Sequence, residues 1–163
     1  STLILDKAAQ ISYPPIDVAF SPDRQSVLVG TRNEAALWDI RSGEKIHSFD
    51  GGPATVTAVA FSADGKYVLT GGNSNVLLWD AQSGTPIRPF EGVSSKTTAV
   101  AFSADGKYAL SGGDKAIIRW DVSSGLPVPP FIETRPAVTS VAFSSDDAIL
   151  RFNDIHHIYF PYC

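Results

Sequence analysis

The sequence of 163 residues contains one cysteine and no methionine. A single cysteine, Cys163, excludes a disulfide within the chain, and a reducing, cytoplasmic location fits that usage. No apolar run approaches the roughly 18 residues that a membrane-spanning helix needs, so we expect no membrane association. The opening segment STLILDKAAQ also lacks the charged and then apolar layout of a signal peptide.

Positive charge is scarce as well. The chain has 13 Lys and Arg against 17 Asp and Glu, a net charge of −4, and no run of basic residues. Nucleic-acid-binding domains depend on basic patches for affinity, so we expect no nucleic-acid partner. Hydrophobic residues make up 44% of the chain, which is typical of a folded protein. No segment shows a sustained apolar period of 3.6 residues, which disfavours helices.

Repetition is what the chain has in abundance. The eleven residues TAVAFSADGKY occur at 57–67 and again at 98–108, 41 residues later. Ala-Phe-Ser begins at 19, 60, 101 and 142, and Trp-Asp at 38, 79 and 120. We therefore interpret residues 1–163 as a single domain of four repeats, at 1–41, 42–82, 83–123 and 124–163. A fixed period of this length indicates stacked units that cover one another.

The period 83–123 illustrates the predicted local structure. It contains four short strands, TPIRPFE, TTAVAFS, YALSG and AIIRWDV. The second strand alternates small Ala with large Val and Phe, as expected for a strand packed between two neighbouring sheets. Asp-Gly supplies a tight turn after it, and the Gly-Gly pairs are assigned to turns. The sequence thus predicts an all-β fold of four-stranded antiparallel sheets.

The pattern VAFSADGKYxLxGG, followed by an apolar run, Trp-Asp and Ser-Gly, resembles that of the WD-repeat β-propellers. The resemblance covers essentially the whole chain and implies a propeller in which each repeat forms a blade. It also implies a hydrogen-bonded set of His, Ser or Thr, Asp and Trp in each blade, although no copy here has the His. The residues assigned to blade-structural roles are Trp38, Asp39, Trp79, Asp80, Ser111, Asp114, Trp120 and Asp121.

The two ends of the chain indicate how a ring would close. Pro161 and Tyr162 stand where the last repeat should have Trp-Asp, and proline suits an edge strand. Residues 1–8 match the outermost strand of a blade, which in this family completes the last blade of the ring. Four blades around one axis would each turn by about 90°, whereas packed sheets prefer angles of about 30°. We therefore predict a homodimer, in which two chains form one eight-bladed ring and each N-terminal strand completes a C-terminal blade of its partner; a self-closed monomer and an open assembly stay possible.

The resemblance implies a non-catalytic scaffold that binds a protein or peptide of unknown identity. The candidate contacts are polar residues in the loops that precede the Trp-Asp strands: Arg32, Asn33, Glu34, Asn73, Ser74, Asn75, Asp114 and Lys115. His47 lies in an outer strand at the position that Asp6, Arg88 and Pro129 occupy in other repeats, so we expect it to be solvated.

Enzymatic chemistry has little support in the sequence. Asp17 is the sole ionisable residue in the predicted channel-lining strands, and no Ser pairs with a His and an acid. His156 and His157 with Cys163 and Asp154 form the cluster that most suggests a metal, but adjacent strand residues point to opposite faces. We therefore predict no catalytic residues, no metal and no cofactor.

Two alternatives stay open. The near-identical repeats at 42–123 and the absence of Met favour the first, in which the chain is a truncated or engineered propeller fragment with no independent natural function. A propeller-type hydrolase is the less favoured alternative.

Overall fold

The computed structural model describes residues 13–50, 52, 55–73, 75–90, 96–134, 137–144 and 149–152. Within them the chain forms strands connected by turns and loops and has no helix, so none of these residues lies in a helix that could cross a membrane. In chain order the strands are β1 Asp17–Phe20, β2 Ser26–Gly30, β3 Ala35–Asp39, β4 Lys45–Ser48, β5 Val56–Phe61, β6 Tyr67–Gly72, β7 Val76–Asp80, β8 Pro86–Pro89, β9 Thr97–Phe102, β10 Tyr108–Gly113, β11 Ala116–Asp121, β12 Pro127–Glu133, β13 Ser140–Phe143 and β14 Ile149–Phe152.

Antiparallel pairing groups the strands into sheets of consecutive neighbours. Sheet 1 contains β1 to β4, sheet 2 contains β5 to β8 and sheet 3 contains β9 to β12, each in that order, while β13 pairs with β14. Every pairing joins strands that are adjacent in the sequence, which short hairpin turns make possible. The prediction of an all-β fold with four-stranded antiparallel sheets is confirmed.

The sheets and the sequence periods are offset by one strand. The strand β4 lies in the period 42–82, yet it pairs with β3 of sheet 1. The strand β8 lies in the period 83–123 and pairs with β7 of sheet 2. The outer strand that opens a period therefore completes the sheet of the period before it. The outer strand predicted at residues 1–8 and the divergent segment 153–163 lie outside the described residues.

The core lies between successive sheets. Sheet 2 gives one face to sheet 1 and the opposite face to sheet 3, and sheet 3 in turn packs against β13, so that apolar side chains are shared across each junction. Between sheets 1 and 2 the cluster includes Leu28, Ala35, Leu37, Phe49, Val56, Val59, Val68 and Trp79. Between sheets 2 and 3 it includes Leu69, Val76, Leu78, Phe90, Ala109, Trp120 and Val122. Between sheet 3 and β13 it includes Leu110, Ile117, Val138 and Val141.

Four glycines that we assigned to turns lie instead within strands. Gly71 and Gly72 belong to β6, and Gly112 and Gly113 belong to β10. A Cβ atom at Gly71 would lie 2.7 Å from Cγ2 of Thr97, and one at Gly112 would lie 2.6 Å from Cγ1 of Val141. We call the first strand of each sheet (β1, β5, β9 and β13) its inner strand. The inner strand of the next sheet approaches Gly71 and Gly112 closely and leaves no room for a side chain.

Candidate interaction surfaces

The loops that precede the Trp-Asp strands all lie at one end of the sheets, because the three sheets share one strand order. We call this the loop end, and the opposite end, which carries the β1–β2 and β3–β4 turns and their counterparts, the turn end. Exposed side chains at the loop end are those of Arg32, Asn33, Asn73, Asp114 and Lys115, while Glu34 and Asn75 are partly covered. Ser74 lies outside the described residues.

The first of these loops is held by hydrogen bonds. Thr31 Oγ1 accepts from the backbone N–H groups of Asn33 and Glu34, at 3.3 and 3.2 Å. The carboxylate of Glu34 pairs with Lys45 Nζ at 3.1 Å and accepts from Ser48 Oγ at 3.0 Å. These contacts fix the backbone of the loop and leave Arg32 and Asn33 exposed.

Hydrogen bonds that link neighbouring sheets near their inner strands stiffen the sheets that carry these loops. Thr57 Oγ1 donates to the carbonyl oxygens of Gly71, at 3.2 Å, and of Thr97. Thr98 makes the corresponding pair of bonds, to Gly112 at 3.2 Å and to Val138. Sequence reasoning missed both threonines, although their identical position in two repeats was a usable signal.

Asp17, the ionisable residue of the inner strands, has a structural role in this arrangement. Its Oδ2 atom accepts from the backbone N–H of Val59 in sheet 2 at 2.8 Å, and Oδ1 accepts from that of Val18 at 2.9 Å. The carboxylate therefore joins two sheets rather than facing another acid.

The blade-structural residues fall into two groups. Trp79 and Trp120 are buried, and their indole nitrogens donate to Thr70 and Ser111. Asp114, which we assigned to the same set as Ser111 and Trp120, has an exposed side chain, and its backbone N–H donates to the carbonyl of Lys96 at 3.3 Å.

The Asp of each Trp-Asp pair closes a turn at the turn end. Asp39 accepts from the N–H of Ser42 at 2.6 Å, Asp80 from that of Ser83 at 2.8 Å and Asp121 from that of Ser124 at 2.8 Å. The hydrogen bond from the N–H of Ser42 is the main cause of the lowered pKa of Asp39, and the bond from the N–H of Ser83 is the main cause for Asp80. The hydroxyl of Ser123 does most to lower the pKa of Asp121. The three carboxylates lie on separate sheets and are occupied by their own turns.

His47 differs from its predicted position on the solvated surface. The ring is half-buried, its Nε2 lies 3.0 Å from the carbonyl oxygen of Ala81, and its edge meets the ring of Phe49 at a centroid distance of 4.9 Å. The outer strand of sheet 1 lies against the turn end of sheet 2, which covers a residue that strand alternation alone would leave in solvent.

A cavity of about 510 Å³ lies at the turn end of sheet 1. Among the described residues it is lined by Arg24, Gln25, Asp39, Ile40 and Arg41. No group of three or more His, Cys, Asp or Glu within the described part of the chain is placed to hold a metal ion. The cluster of Asp154, His156, His157 and Cys163 lies outside that part.

Comparison with known proteins agrees with this architecture. The sequence model of the family "WD domain, G-beta repeat" matches residues 43–80 and 84–121. Among proteins with curated functions, none matches the sequence significantly.

Three solved structures are similar to the chain at 20–21% identity, and each similarity covers 86% of it. They are hydrazine synthase of Kuenenia stuttgartiensis, with a TM-score of 0.76, U3-55K, with 0.80, and the RRP9 WD40 repeats, with 0.79. The matched regions are 42%, 46% and 45% of those chains, so this chain spans less than half the length of each. At this identity the likeness shows the fold alone. The family model identifies WD repeats at residues 43–80 and 84–121, and the likeness to the solved structures shows the fold of a WD-repeat β-propeller fragment.

Proposed function

We propose that the chain is a non-catalytic protein-interaction module that binds a protein or peptide at its loop end. The observation that carries this proposal is the group of exposed polar side chains on three neighbouring loops, Arg32 and Asn33, Asn73, and Asp114 and Lys115. A rigid scaffold that presents polar loop residues binds with little loss of conformational entropy, because its loops are ordered before the partner arrives.

Loop substitutions compared with substitutions at the turn end would test this proposal. One variant combines Arg32→Ala, Asn73→Ala and Lys115→Ala, and the matched control combines Lys66→Ala and Lys107→Ala in exposed turns at the opposite end. We expect a protein captured by the wild-type chain to bind the purified control with unchanged affinity and the loop variant at least about tenfold more weakly. Equal affinity for all three would contradict binding at the loop end.

The same proposal includes a homodimeric ring of eight blades. The apolar leading face of sheet 1 consists of Val18, Phe20, Val27, Val29 and Trp38, which neighbour one another in the strand register. Among the described residues, the cluster of Val27, Val29, Ala36 and Trp38 on this face has members from sheet 1 only, and Val29, Ala36 and Trp38 are buried. A second copy that placed its last blade here would cover the exposed side chains of this face, Val18 and Phe20, and satisfy the edges of both chains.

The exposure of side chains along the inner strand β1 supports this face as the seam, that is, the surface at which the two chains of the ring would meet. Val18 is 50% exposed and Phe20 is 62% exposed, whereas Val59, which occupies the position of Val18 in the next repeat, is 5% exposed. Sedimentation velocity of the purified chain at micromolar concentration tests the ring, and we expect the mass of a dimer. A monomer throughout that range would end the proposal of a two-chain ring without affecting the loop-end proposal.

The non-catalytic part of the proposal rests on how the acidic groups are used. Asp17 is bonded to two backbone N–H groups, and the turn aspartates are bonded within their own turns. A hydrolase needs acids or bases that converge on a substrate, and the described carboxylates are instead dispersed over separate sheets.

A further inference from the structure

Two arginines come together at the turn end of sheet 1. Arg24 and Arg41 both line the cavity of about 510 Å³. The backbone N–H of Ile40 donates to the carbonyl of Gln25 at 2.9 Å, which continues the pairing of β2 with β3 by one residue beyond the ends of the strands. The arginines are the next residues on the two segments, so the hairpin brings two like charges to one cavity. Like charges at neighbouring positions of paired segments are unfavourable unless an anion lies with them.

This pair of charges is peculiar to sheet 1. The positions of Arg24 and Arg41 are held by Gly65 and Gln82 in sheet 2, and by Gly106 and Ser123 in sheet 3. The other two sheets thus build the same turns without a positive charge at either position. The arginines are therefore not a requirement of the fold.

The backbone of Arg24 adds a second unfavourable feature at the same place. Among the described residues, Arg24 is the one residue other than glycine with a positive φ, of 59°. Its counterparts Gly65 and Gly106 have φ values of 72° and 71°, in the left-handed region that glycine adopts without steric cost. A side chain kept in a conformation that the equivalent turns give to glycine is characteristic of a functional position.

Neither arginine is neutralised by the described part of the chain. The lysines Lys45, Lys66 and Lys107 each form an ion pair there, whereas Arg24 and Arg41 form none with a described carboxylate.

Asp39 lines the same cavity, but its carboxylate belongs to its own turn. It accepts the N–H of Ser42 at 2.6 Å, and this bond does most to lower the pKa of Asp39, while the charge of Arg41 contributes least. Asp23, next to Arg24, accepts from Ser21 Oγ and from the N–H of Gln25 at 2.9 Å. The two guanidinium groups are thus available to an external anion.

The chemistry of the lining favours a phosphate group joined to an organic group. A guanidinium presents a planar fork of N–H donors that matches phosphate oxygens, and a phosphate monoester carries more negative charge and more acceptor oxygens than a carboxylate. The volume of about 510 Å³ lies within the roughly 300–1,000 Å³ of small-molecule sites, which leaves room beside the phosphate. Ile40 lines the cavity and is partly exposed, so it offers an apolar contact to the rest of the molecule.

We propose that this cavity binds a phosphate monoester of small-molecule size, with Arg24 and Arg41 holding the phosphate and Ile40 contacting the organic group. The residues involved precede the repeats at 43–80 and 84–121 that match the family model. The site lies at the turn end and does not rest on protein binding at the loop end.

Isothermal titration calorimetry of the purified chain with phenyl phosphate, at constant ionic strength, tests the proposal. The variants Arg24→Gly and Arg41→Gln introduce the residues that sheet 2 carries at the same positions, so each suits the turn. The matched control is Arg32→Gln, which removes an exposed arginine at the loop end. Inorganic phosphate and benzoate are titrated into the wild type as partial ligands.

We expect saturable binding of phenyl phosphate to the wild type and to Arg32→Gln with equal affinity, and affinity at least about tenfold weaker in each cavity variant. Inorganic phosphate and benzoate should each bind at least about tenfold more weakly than phenyl phosphate. The absence of saturable binding, or equal affinity in all four proteins, would overturn the proposal. Benzoate that bound as tightly would overturn the assignment to phosphate, and inorganic phosphate that bound as tightly would overturn the role of the organic group.

Urea denaturation separates a ligand site from a structural role of Arg24. In phosphate-free buffer the midpoint of Arg24→Gly should be no lower than that of the wild type, because glycine relieves the left-handed conformation. Phenyl phosphate should raise the midpoint of the wild type and leave that of Arg24→Gly unchanged. A lower midpoint of Arg24→Gly without ligand would show that Arg24 stabilises the turn itself, and it would remove the ground for a ligand role.

Discussion

The indole Nε1 of Trp79 donates a hydrogen bond of 2.9 Å to the hydroxyl of Thr70, and both side chains are fully buried. Trp120 makes the same bond to Ser111 at 2.9 Å. Val29 holds the corresponding position in the repeat of Trp38 and offers no side-chain acceptor. Because buried indole N–H groups require a partner, the hydroxyl at this position is a distinct source of stability in sheets 2 and 3.

The first prediction concerns this hydroxyl. Thr70→Val keeps the volume of the side chain but leaves the indole N–H of Trp79 without its acceptor in the core. We expect the free energy of unfolding to fall by about 1–3 kcal/mol, measured by urea denaturation. Thr70→Ser is the control, because Ser111 makes the same bond in sheet 3. An unfolding free energy of Thr70→Val equal to that of the wild type would show that the hydroxyl of Thr70 contributes nothing to stability.

The strands themselves were accessible to sequence analysis for a simple reason. Alternating Ala, Val and Phe, a turn at Asp-Gly and the recurrent Trp-Asp pair are local signals, and they repeat at one spacing. The strand β9 and the strand β11 fall within the segments TTAVAFS and AIIRWDV that predicted them. Repetition strengthened each local signal because an error in one period would conflict with the other periods.

The contacts between sheets were not accessible in this way. Periodicity specifies which residues are equivalent, but it does not specify how closely two inner strands approach. The burial of His47 against Ala81 and the packing of Gly71 against Thr97 depend on that distance. A match to a family pattern also does not establish a contact. The pattern assigned Asp114 to a hydrogen-bonded set, whereas the structure exposes its side chain.

The second prediction tests the close approach of the inner strands. A Cβ at Gly71 would lie 2.7 Å from Cγ2 of Thr97, so Gly71→Ala should destabilise the protein by about 1–3 kcal/mol in urea denaturation. In a Thr97→Ser background, which lacks that methyl group, the loss should be smaller.

Gly106→Ala is the control for this prediction. A Cβ there meets no atom within 4 Å, and φ is +71°, so its loss comes from backbone conformation alone. That loss should be the same with Thr97 and with Ser at this position. If the loss at Gly71 is equally insensitive to residue 97, steric contact between the strands is not its cause.

The third prediction concerns acid sensitivity. The Ser83 N–H is the main cause that lowers the pKa of Asp80 below its ordinary value in the folded state. The unfolded chain, with an aspartate pKa of about 3.9, then binds more protons, so stability is full above that pH and is lost as pH falls through the folded pKa. Asp80→Asn retains an acceptor oxygen but does not titrate. Its urea midpoint should therefore fall less than that of the wild type between pH 5 and pH 3.

Ser83→Ala separates the hydroxyl donor to this carboxylate from the backbone N–H donors of Gln82 and Ser83. It removes the hydroxyl, which donates to Asp80 Oδ1 at 2.8 Å, and retains the N–H at 2.8 Å. We expect an acid sensitivity between those of the wild type and Asp80→Asn. Identical midpoint shifts in all three proteins would show that this turn contributes nothing to acid unfolding.

The fourth prediction tests the leading face of sheet 1 as the seam of the two-chain ring. Phe20 is 62% exposed, whereas Phe61 and Phe102, at the same position of the period, pack against the clusters that join neighbouring sheets. Burying a Phe side chain contributes about 1.5–3 kcal/mol, and a two-fold ring buries two copies of Phe20. Phe20→Asp should therefore raise the dimer dissociation constant at least about 100-fold in sedimentation velocity.

Ile46→Asp is the matched control, because Ile46 is 48% exposed but lies on the outer strand β4, away from the inner strand that carries Phe20. It should leave the dissociation constant unchanged, since it adds the same charge to an apolar position that the seam does not use. Both variants should have the urea midpoint of the wild type at concentrations below the dimer dissociation constant, which separates loss of assembly from loss of folding. A dimer that tolerates Phe20→Asp as well as it tolerates Ile46→Asp would show that the two chains meet elsewhere, because a carboxylate cannot be buried among Val18 and its neighbours without a partner.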